Sequence, residues 1–169
     1  MIYLRKLTNE DLDYLISIEN DKAFWKYSFN NQIYSKEQLQ SLIKDSYLDI
    51  NITNQIRYVM CNVTNNERLG FIDLFDVDFE NSRAGLGILI ANKKNRNKGY
   101  GKIALRKIIK IASEKLKINN LYCNISRDNM QSINCFKSVG FLEIDNNSDV
   151  YISSTEIIDS KSIIQLQCI

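Results

Sequence analysis

The chain has 169 residues, a formal net charge of +2 and an apolar content of 44%. A chain of this length is expected to form one domain over residues 1–169, with a hydrophobic core that needs no disulfide or metal. The near balance of acidic and basic residues argues against a nucleic-acid binder with an extended basic surface, and no apolar run approaches the roughly 20 residues of a membrane span.

The first half of the chain predicts one strand, two helices and three further strands. Thr8 with Asp11, and Ser35 with Gln38, have capping-box spacing, and apolar residues at helical intervals follow each pair. The stretch between these helices, 19–34, is rich in aromatic residues and shows no clear period. The runs QIRYVMCNV, RLGFIDLFDVDF and AGLGILIA are separated by the turns TNNE and ENSR, which is typical of an antiparallel meander.

The second half predicts alternating helices and strands. We expect a helix from Gly99 to Lys117, a strand LYCNIS, and a short helix capped by Asp128 with Gln131 and ended by Gly140. The runs FLEI and SIIQLQCI predict two closing strands. The order β-α-α-β-β-β-α-β-α-β-β indicates an α+β or mixed α/β domain. Because the last strand ends without a charged or polar residue that would block edge pairing, it could pair with a second subunit in a homodimer.

The chain has no histidine, and its four cysteines form no CxxC pair. A zinc site is therefore not expected, and we predict no metal cofactor. The scattered thiols are typical of reduced cysteines in a cytosolic protein, and the N-terminus lacks the pattern of a signal peptide. We expect a cytoplasmic protein that uses neither a Ser–His nor a Cys–His nucleophile. The cysteines are Cys61, Cys123, Cys135 and Cys168.

The stretch NKKNRNKGYGKIAL places two glycines and a cluster of basic residues where the long helix begins. A helix N-terminus has unpaired N–H groups and a partial positive charge, so it attracts phosphate. Glycines let the backbone come close to such a ligand, and the loop therefore predicts a pyrophosphate site. The basic residues are Lys93, Lys94, Arg96, Lys98 and Lys102.

Three phosphate motifs can be compared with this loop. Walker A, GxxxxGK[ST], is absent. The dinucleotide fingerprint GxGxxG/A is matched by Gly99, Gly101 and Ala104, but the following strand ends in Asn124 and Ser126 rather than in a ribose-binding acid. The pattern R-x-x-G-x-G is matched in full by RNKGYG, residues 96–101.

R-x-x-G-x-G between a strand and a long helix resembles motif A of the GCN5-related N-acetyltransferase (GNAT) family. About 30 residues further on, NMQSINCFKSVGF resembles the family's second signature, an Asn, a short helix and a Gly-Phe ending. IYLRKLTNEDLDYL and WKYS are similar to the branch that contains ribosomal-protein and polyamine acetyltransferases. The resemblance covers roughly residues 2–145. It implies a mixed, mostly antiparallel sheet whose two central strands splay apart, flanked by helices.

In this family acetyl-coenzyme A (acetyl-CoA) lies in the V between the splayed strands, which are GILIA and LYCNIS here. The resemblance implies that the main chain of GILIA pairs with the pantetheine amides and that the loop N–H groups surround the pyrophosphate. The short second-signature helix would reach the pantetheine arm, the nucleotide or the thioester, although Asn129 can also be read as a helix cap. The implied cofactor contacts are Ile88, Leu89, Ile90, Arg96, Asn97, Lys98, Gly99, Tyr100, Gly101, Lys102, Asn129, Ser132, Phe136 and Lys137.

Two features of the family are missing from the sequence. Many members have Tyr four residues before the glycine of GF, as the acid toward the thiolate, and here it is Phe136. Many also have a carboxylate in a pattern like RAE, and here the residue at that position is Gly85 in RAGLG.

Asp73, which shares a strand face with aromatic residues, is our candidate base, because desolvation makes a carboxylate a better proton acceptor. Ser132 is a candidate near the thiolate. The alternatives are a hydrogen-bonded or outward-turned Asp73 and a Ser132 on the helix surface.

The aromatic segment between the first two helices is the candidate acceptor wall. Aromatic rings and carboxylates suit a cationic amine. An alternative interpretation is that the aromatics only cover the core. The candidate substrate residues are Glu19, Asp21, Trp25 and Tyr27, beside Phe24, Phe29 and Tyr34.

The resemblance implies an N-acetyltransferase that moves the acetyl group of acetyl-CoA to a primary amine by direct attack. A polyamine, a protein N-terminus, an amino sugar or an antibiotic are the acceptors considered. A CoA-binding module of the same fold without turnover is the main alternative, favoured by Phe136 and Gly85. An NAD-dependent oxidoreductase is a third, suggested only by the GxGxxG/A match.

Overall fold

The computed structural model describes residues 1–28, 32–144, 151–153, 156–157 and 163–168. Among these residues no helix is both long and apolar enough to cross a bilayer. The strands are β1 (Ile2–Lys6), β2 (Ile56–Asn62), β3 (Arg68–Asp78), β4 (Arg83–Ile90), β5 (Asn120–Ser126), β6 (Leu142–Glu143), β7 (Tyr151–Ser153), β8 (Glu156–Ile157) and β9 (Ile163–Cys168). The helices are α1 (Leu12–Glu19), α2 (Lys22–Ser28), α3 (Lys36–Asp45), α4 (Ile50–Thr53), α5 (Tyr100–Ile111) and α6 (Met130–Lys137).

Seven strands form one mixed sheet in the order β1-β2-β3-β4-β5-β9-β6. β4 and β5 run parallel, and every other neighbouring pair in this sheet is antiparallel. β7 and β8 form a separate two-stranded ladder. The mixed, mostly antiparallel sheet confirms the expected fold class. β9, the strand expected to have a free end, lies inside the sheet, where β5 covers one edge and β6 pairs with its Leu166 and Gln167.

The two faces of the sheet bury different helices. On one face, the buried side chains of the strands alternate toward α5, and Ile72 and Leu86 pack in one cluster with Leu105 and Ile108. On the other face, Val59 and Phe71 pack with side chains of α1 and α3. We call these the α5 face and the α1 face. The sheet therefore separates two layers of helices, each with its own apolar contact.

The predicted capping box is present at the start of α3. Ser35 Oγ accepts from Gln38 N–H at 3.2 Å and Gln38 Oε1 accepts from Ser35 N–H at 2.7 Å, as the capping box predicts. The Asp128 cap was wrong: Asn129 caps α6 instead, accepting from Ser132 N–H at 3.2 Å. Helix α2 lies in the segment where no period was visible.

The central strands part soon after they meet. β4 and β5 pair only at Arg83 with Asn120, Ala84 with Leu121 and Gly85 with Tyr122. Beyond Gly85 the described residues of the two strands form no further pair, although both strands continue to Ile90 and Ser126. The edge of β4 that faces β5 is therefore open from Leu86 to Ile90, as the family resemblance implies.

A buried carboxylate ties the first strand to the first helix. Asp11 has no exposed side-chain surface, and Arg5 donates to both of its oxygens, at 2.6 and 2.8 Å. Arg68 Nη1 lies 3.3 Å from Oδ1, and the N–H of Thr8 donates to Oδ2 at 2.8 Å. Burial by itself raises the pKa of Asp11, but the hydrogen bonds from Arg5 and Thr8 outweigh it and lower that pKa to about 2.

We predict that Asp11→Asn lowers the free energy of unfolding by about 2 kcal/mol at pH 7. Because the folded-state pKa is depressed, the stabilisation is present above about pH 4 and is lost as pH falls toward 2. Urea unfolding at pH 7, 4 and 2.5 checks this. The exposed Asp13→Asn, in the first turn of α1, is the control and should change stability by less than about 0.5 kcal/mol. A difference between wild type and Asp11→Asn that does not shrink with acid would contradict the assignment.

Candidate cofactor groove and acceptor face

A groove of about 360 Å³ lies where β4 and β5 separate. Its walls are the end of β4, the loop before α5, the first turn of α5 and one side of α6. Eleven of the residues predicted to contact the cofactor line it. They are Ile88, Leu89, Ile90, Arg96, Asn97, Gly99, Tyr100, Gly101, Lys102, Asn129 and Ser132.

The loop that leads into α5 is shaped by two residues with left-handed backbone. Asn97 has φ 59° and Gly99, which begins the helix as its N-cap, has φ 78°. Arg96 Nε donates to the carbonyl of Ile90 at 3.1 Å, which holds its guanidinium beside the end of β4. Its Cζ lies 5.9 Å from the centre of the Phe24 ring on α2. The loop therefore presents a cation and the unpaired N–H groups of a helix start to the same groove.

Helix α6 packs tightly against the first turn of α5 at Gly101. A Cβ built on Gly101 would lie 3.1 Å from Cys135 Sγ. Burial raises the pKa of the Cys135 thiol. A larger residue than glycine at position 101 would thus enter the groove or push α6 away.

The α6 wall contains residues that the sequence reasoning missed. Gln131 Nε2 donates to Asn97 Oδ1 at 2.7 Å, so the helix and the loop are joined across the groove mouth. The missed side chains on α6 recur at intervals of three and four residues, which places them on one helix face, and that spacing could have revealed them. They are Gln131, Asn134, Cys135 and Ser138, and Asn95 in the loop is a further one.

Three of the predicted cofactor contacts lie outside the groove lining. Phe136 is 2% exposed and packs edge-to-face on Phe141 at 5.0 Å, because its position on α6 points into the core. Lys137 is on the opposite, exposed side of α6, with its Nζ 3.3 Å from Glu143 Oε2. Lys98 is exposed in the loop. Neither Phe136 nor Lys137 thus lines the groove, and their contact with the cofactor stays a prediction.

Asp73 lies on the α1 face and is paired with a cation. Arg57 donates from Nε to Asp73 Oδ1 at 2.6 Å and from Nη2 to Oδ2 at 3.2 Å, and from Nη1 to Glu19 Oε1. All three side chains are about one-fifth exposed. Asp73 is therefore not an unpaired carboxylate among aromatic rings. It belongs to a Glu–Arg–Asp cluster that has one net negative charge.

The other candidate acceptor residues have mixed positions. Trp25 Nε1 donates to the main-chain oxygen of Glu19 at 3.3 Å, which places the indole beside the Glu–Arg–Asp cluster. Asp21 is exposed and accepts from the N–H of Ala23 at 2.9 Å, as a cap of α2. The side chain of Tyr27, and Phe29 as a whole, lie outside the described residues.

A second cavity, of about 200 Å³, opens beside this cluster. Arg57, Asp73 and Phe75 line its sheet side, and Asp45 and Ser46 at the end of α3 line the opposite side. Carboxylates thus lie on both walls.

The missing family carboxylate at position 85 has a structural counterpart. A Cβ on Gly85 would lie 2.2 Å from Cε2 of Phe75, its partner on β3, so the aromatic ring occupies the space that a side chain at 85 would need. Phe75 in turn packs edge-to-face against Tyr122, with ring centres 6.1 Å apart. The phenylalanine ring at position 75 therefore requires glycine at position 85.

We predict that Gly85→Ala lowers the free energy of unfolding by about 2 kcal/mol through overpacking, and that this cost disappears in a Phe75→Ala background. Urea unfolding of the two single variants and the double variant gives the coupling energy. Gly87→Ala is the control, because a Cβ there would meet Asp73 Oδ2 at an ordinary 3.6 Å. Additive effects at positions 75 and 85 would show that the ring does not determine the glycine.

Comparison with known proteins agrees with the geometry. The family model described as "Acetyltransferase (GNAT) domain" matches residues 2–142. Spermidine N(1)-acetyltransferase of Vibrio cholerae is 21% identical over 140 residues, which are 83% of this chain and 78% of that protein. The enzyme of the same name from Escherichia coli K12 is 23% identical over 141 residues, 83% of this chain and 72% of that protein.

Solved structures share the fold along nearly the whole chain. The crystal structure of Vibrio cholerae spermidine N-acetyltransferase in complex with CoA and spermine superposes with a TM-score of 0.80 at 17% identity, over 98% of this chain and 94% of that one. A probable acetyltransferase superposes with a TM-score of 0.76 at 24% identity, over 98% of this chain and 91% of that one. With the family model matched over residues 2–142, the splayed strands and the R-x-x-G-x-G loop in place, this chain belongs to the GNAT family of acyl-CoA-dependent N-acetyltransferases.

Proposed function

We propose that this protein transfers the acetyl group of acetyl-CoA to a primary amine of a polyamine. The observation that carries the proposal is the position of two sites on opposite faces of the same strands. The groove between α5 and α6 reaches the open edge of β4, and the acidic cluster of Glu19, Arg57 and Asp73 lies on the other face of the same strands. Acetyl-CoA can thus enter from one side and a cationic amine from the other.

The residues of the groove fit acetyl-CoA by their chemistry. The loop from Arg96 to Gly101 offers helix-start N–H groups and a guanidinium to a pyrophosphate. The open edge of β4 from Ile88 to Ile90 offers main-chain hydrogen bonds to the amides of an extended pantetheine arm, as an added strand would use them.

A polyamine is the favoured acceptor because of charge. Glu19 and Asp73 share one guanidinium, so the cluster keeps one net negative charge, and Asp45 adds another carboxylate at the nearby cavity. Carboxylates attract a multiply charged cation more strongly than an amino sugar that carries a single ammonium group. The curated relatives from Vibrio cholerae and Escherichia coli are both spermidine N(1)-acetyltransferases.

The chemistry demands a neutral amine. A primary amine with pKa near 10.4 is neutral in about one part in 2,500 at pH 7, which costs roughly 4.6 kcal/mol. Arg57 already donates to both oxygens of Asp73, and a carboxylate has further acceptor sites, so we assign Asp73 to hold the amine by hydrogen bonding. The amine proton leaves through water, and positioning against the acetyl carbon lowers the remaining barrier.

A turnover screen tests the proposal. Purified protein with acetyl-CoA is offered spermidine, spermine, a peptide with a free N-terminus and an amino sugar, and acetylated products are measured by mass spectrometry. We expect kcat/KM for a polyamine to exceed that for the other amines by at least about tenfold, because two or more ammonium groups face the acidic cluster. CoA binding without any acetylated product would instead support the binding-module alternative, which Phe136 and Gly85 favour.

In the same assay, Glu19→Gln should raise KM for the polyamine about fivefold and leave CoA affinity unchanged, because it removes one carboxylate of the cluster. Glu114→Gln, an exposed carboxylate near the far end of α5, is the matched control and should change neither value. An unchanged KM for Glu19→Gln would remove Glu19 from the acceptor site.

Arg96 provides a separate test of the cofactor loop. Arg96→Ala should weaken CoA binding about 10- to 100-fold in titration calorimetry, because it removes a charge-assisted contact to the pyrophosphate. Arg106→Ala removes the same charge from the exposed side of α5 and should change the affinity less than about twofold. Equal losses for both variants would indicate only a general electrostatic effect.

A further inference from the structure

Two similar side-chain pairs link β5 to β9 on the α1 face. Gln165 Nε2 donates to Asn124 Oδ1 at 2.9 Å, and Gln167 Nε2 donates to Asn120 Oδ1. The strand register places Asn124 directly opposite Gln165, whereas Gln167 lies opposite Tyr122 and reaches Asn120 diagonally. The pairs differ in what lies on the other side of β5: Asn120 is opposite Arg83 in the closed part of the sheet, whereas Asn124 lies beyond the last β4–β5 pair.

Asn124 therefore faces the gap between the central strands. Leu121, Cys123 and Ile125 of β5 are buried toward α5, so Tyr122 and Asn124 point to the other face. Tyr122 packs on Phe75, which confirms that this is the face of Asp73. Gly85 pairs with Tyr122, so two residues further on Gly87 and Asn124 stand on opposite sides of the gap.

One row of residues thus crosses the sheet, with polar side chains on both sides of Gly87 and the gap. The register runs from Arg57 to Asp73 to Gly87, and after the gap from Asn124 to Gln165. Gly87 contributes no side chain to this row. A ligand that lies along the open edge of β4 from Ile90 to Ile88 ends beside Gly87, the next residue of β4, which belongs to this row.

The amide of Asn124 has a defined donor. Its Oδ1 is held by Gln165, and oxygen and nitrogen diverge from the same carbon, so Nδ2 is directed away from β9. Within the described part of the chain, no hydrogen-bond partner is found for Nδ2, and no unpaired side-chain nitrogen or oxygen is buried. An oriented N–H group at the gap is therefore available to a ligand.

The acetyl-transfer reaction needs such a donor, because Phe136 has no hydroxyl and is buried against Phe141. We propose that Asn124, oriented by Gln165, donates a hydrogen bond from Nδ2 to the sulfur of CoA and stabilises the thiolate as it leaves. This inference rests on the proposed acetyl transfer and makes Asn124 a catalytic residue and Gln165 a positioning residue.

The step balances without another reactant. The amine nitrogen bonds to the acetyl carbon, the carbon–sulfur bond breaks, and its electron pair goes to sulfur. An amide N–H does not give up its proton at neutral pH, so Asn124 only stabilises the charge. The proton lost by the amine reaches the sulfur through water and yields the free thiol of CoA. A hydrogen bond suffices because a thiol with pKa near 8.5 is a moderate leaving group at pH 7.

The decisive measurement needs neither an amine nor turnover. CoA carrying carbon-13 next to its sulfur is bound to the protein, and its chemical shift is followed by NMR against pH to obtain the pKa of the bound thiol. A hydrogen bond to the thiolate favours the charged form, so Asn124→Ala should raise this pKa by about one unit relative to wild type. Its kcat should fall at least about tenfold, with little change in KM for acetyl-CoA.

Two further variants separate this role from simple strand pairing. Asn120→Ala removes the other Asn–Gln pair between β5 and β9, in the closed part of the sheet, and should leave the thiol pKa and kcat unchanged, even if it lowers Tm as much as Asn124→Ala. Gln165→Glu replaces the donor by an acceptor, so the Asn124 amide turns its NH₂ group toward β9. It should raise the thiol pKa as Asn124→Ala does.

An unchanged thiol pKa in folded, CoA-binding Asn124→Ala would overturn the inference while leaving acetyl transfer intact. Conversely, a raised thiol pKa in a protein that acetylates none of the tested amines would support the sulfur contact and refute the proposed function. A shift of the same size in Asn120→Ala would also overturn the inference, because it would assign the effect to the strand and not to the amide.

Discussion

The parting of β4 and β5 after three residue pairs is the constraint on which the site depends. Two parallel strands that stayed paired to their ends would satisfy their main-chain groups with each other and close the sheet. Because they separate beyond Gly85, the edge of β4 up to Ile90 keeps unpaired groups that a ligand can use. The helix that follows β4 begins at the same end, so its N–H groups and the open edge serve one groove.

In the proposed function, the sheet separates the cofactor site from the acceptor site. On the α5 face, glycine and small or amide side chains of α5 and α6 leave a narrow channel beside a basic loop. On the α1 face, Arg57 holds Glu19 and Asp73 together and leaves a net negative charge. The two faces of the sheet are open to each other only where β4 and β5 separate among the described residues, and the row from Asp73 to Asn124 lies across this gap.

The packing of Phe75 against Gly85 shows how the fold accommodates glycine where many members of the family have a carboxylate. The ring takes the space of the usual side chain, and Tyr122 on β5 packs against it at the point where the gap begins. Tyr122 OH is 3.2 Å from Asp76 Oδ2, and burial raises the pKa of Tyr122 to about 12. The closed end of the V is thus held by aromatic packing and a tyrosine that keeps its proton, while the open end carries the polar groups.

The sequence by itself determined the features that depend on neighbours in the chain. Capping spacing, strand alternation, the glycine turn at 99–101 and the R-x-x-G-x-G motif are local, and they led to the fold and to most of the groove lining. Only the tertiary structure decided which side chains meet across strands and helices. It paired Asp73 with Arg57 and buried Phe136 in the core. It also joined Gln131 to Asn97 and placed Asn124 at the gap. These contacts join residues that are far apart in the chain, so they depend on strand register and helix packing and not on a local sequence pattern.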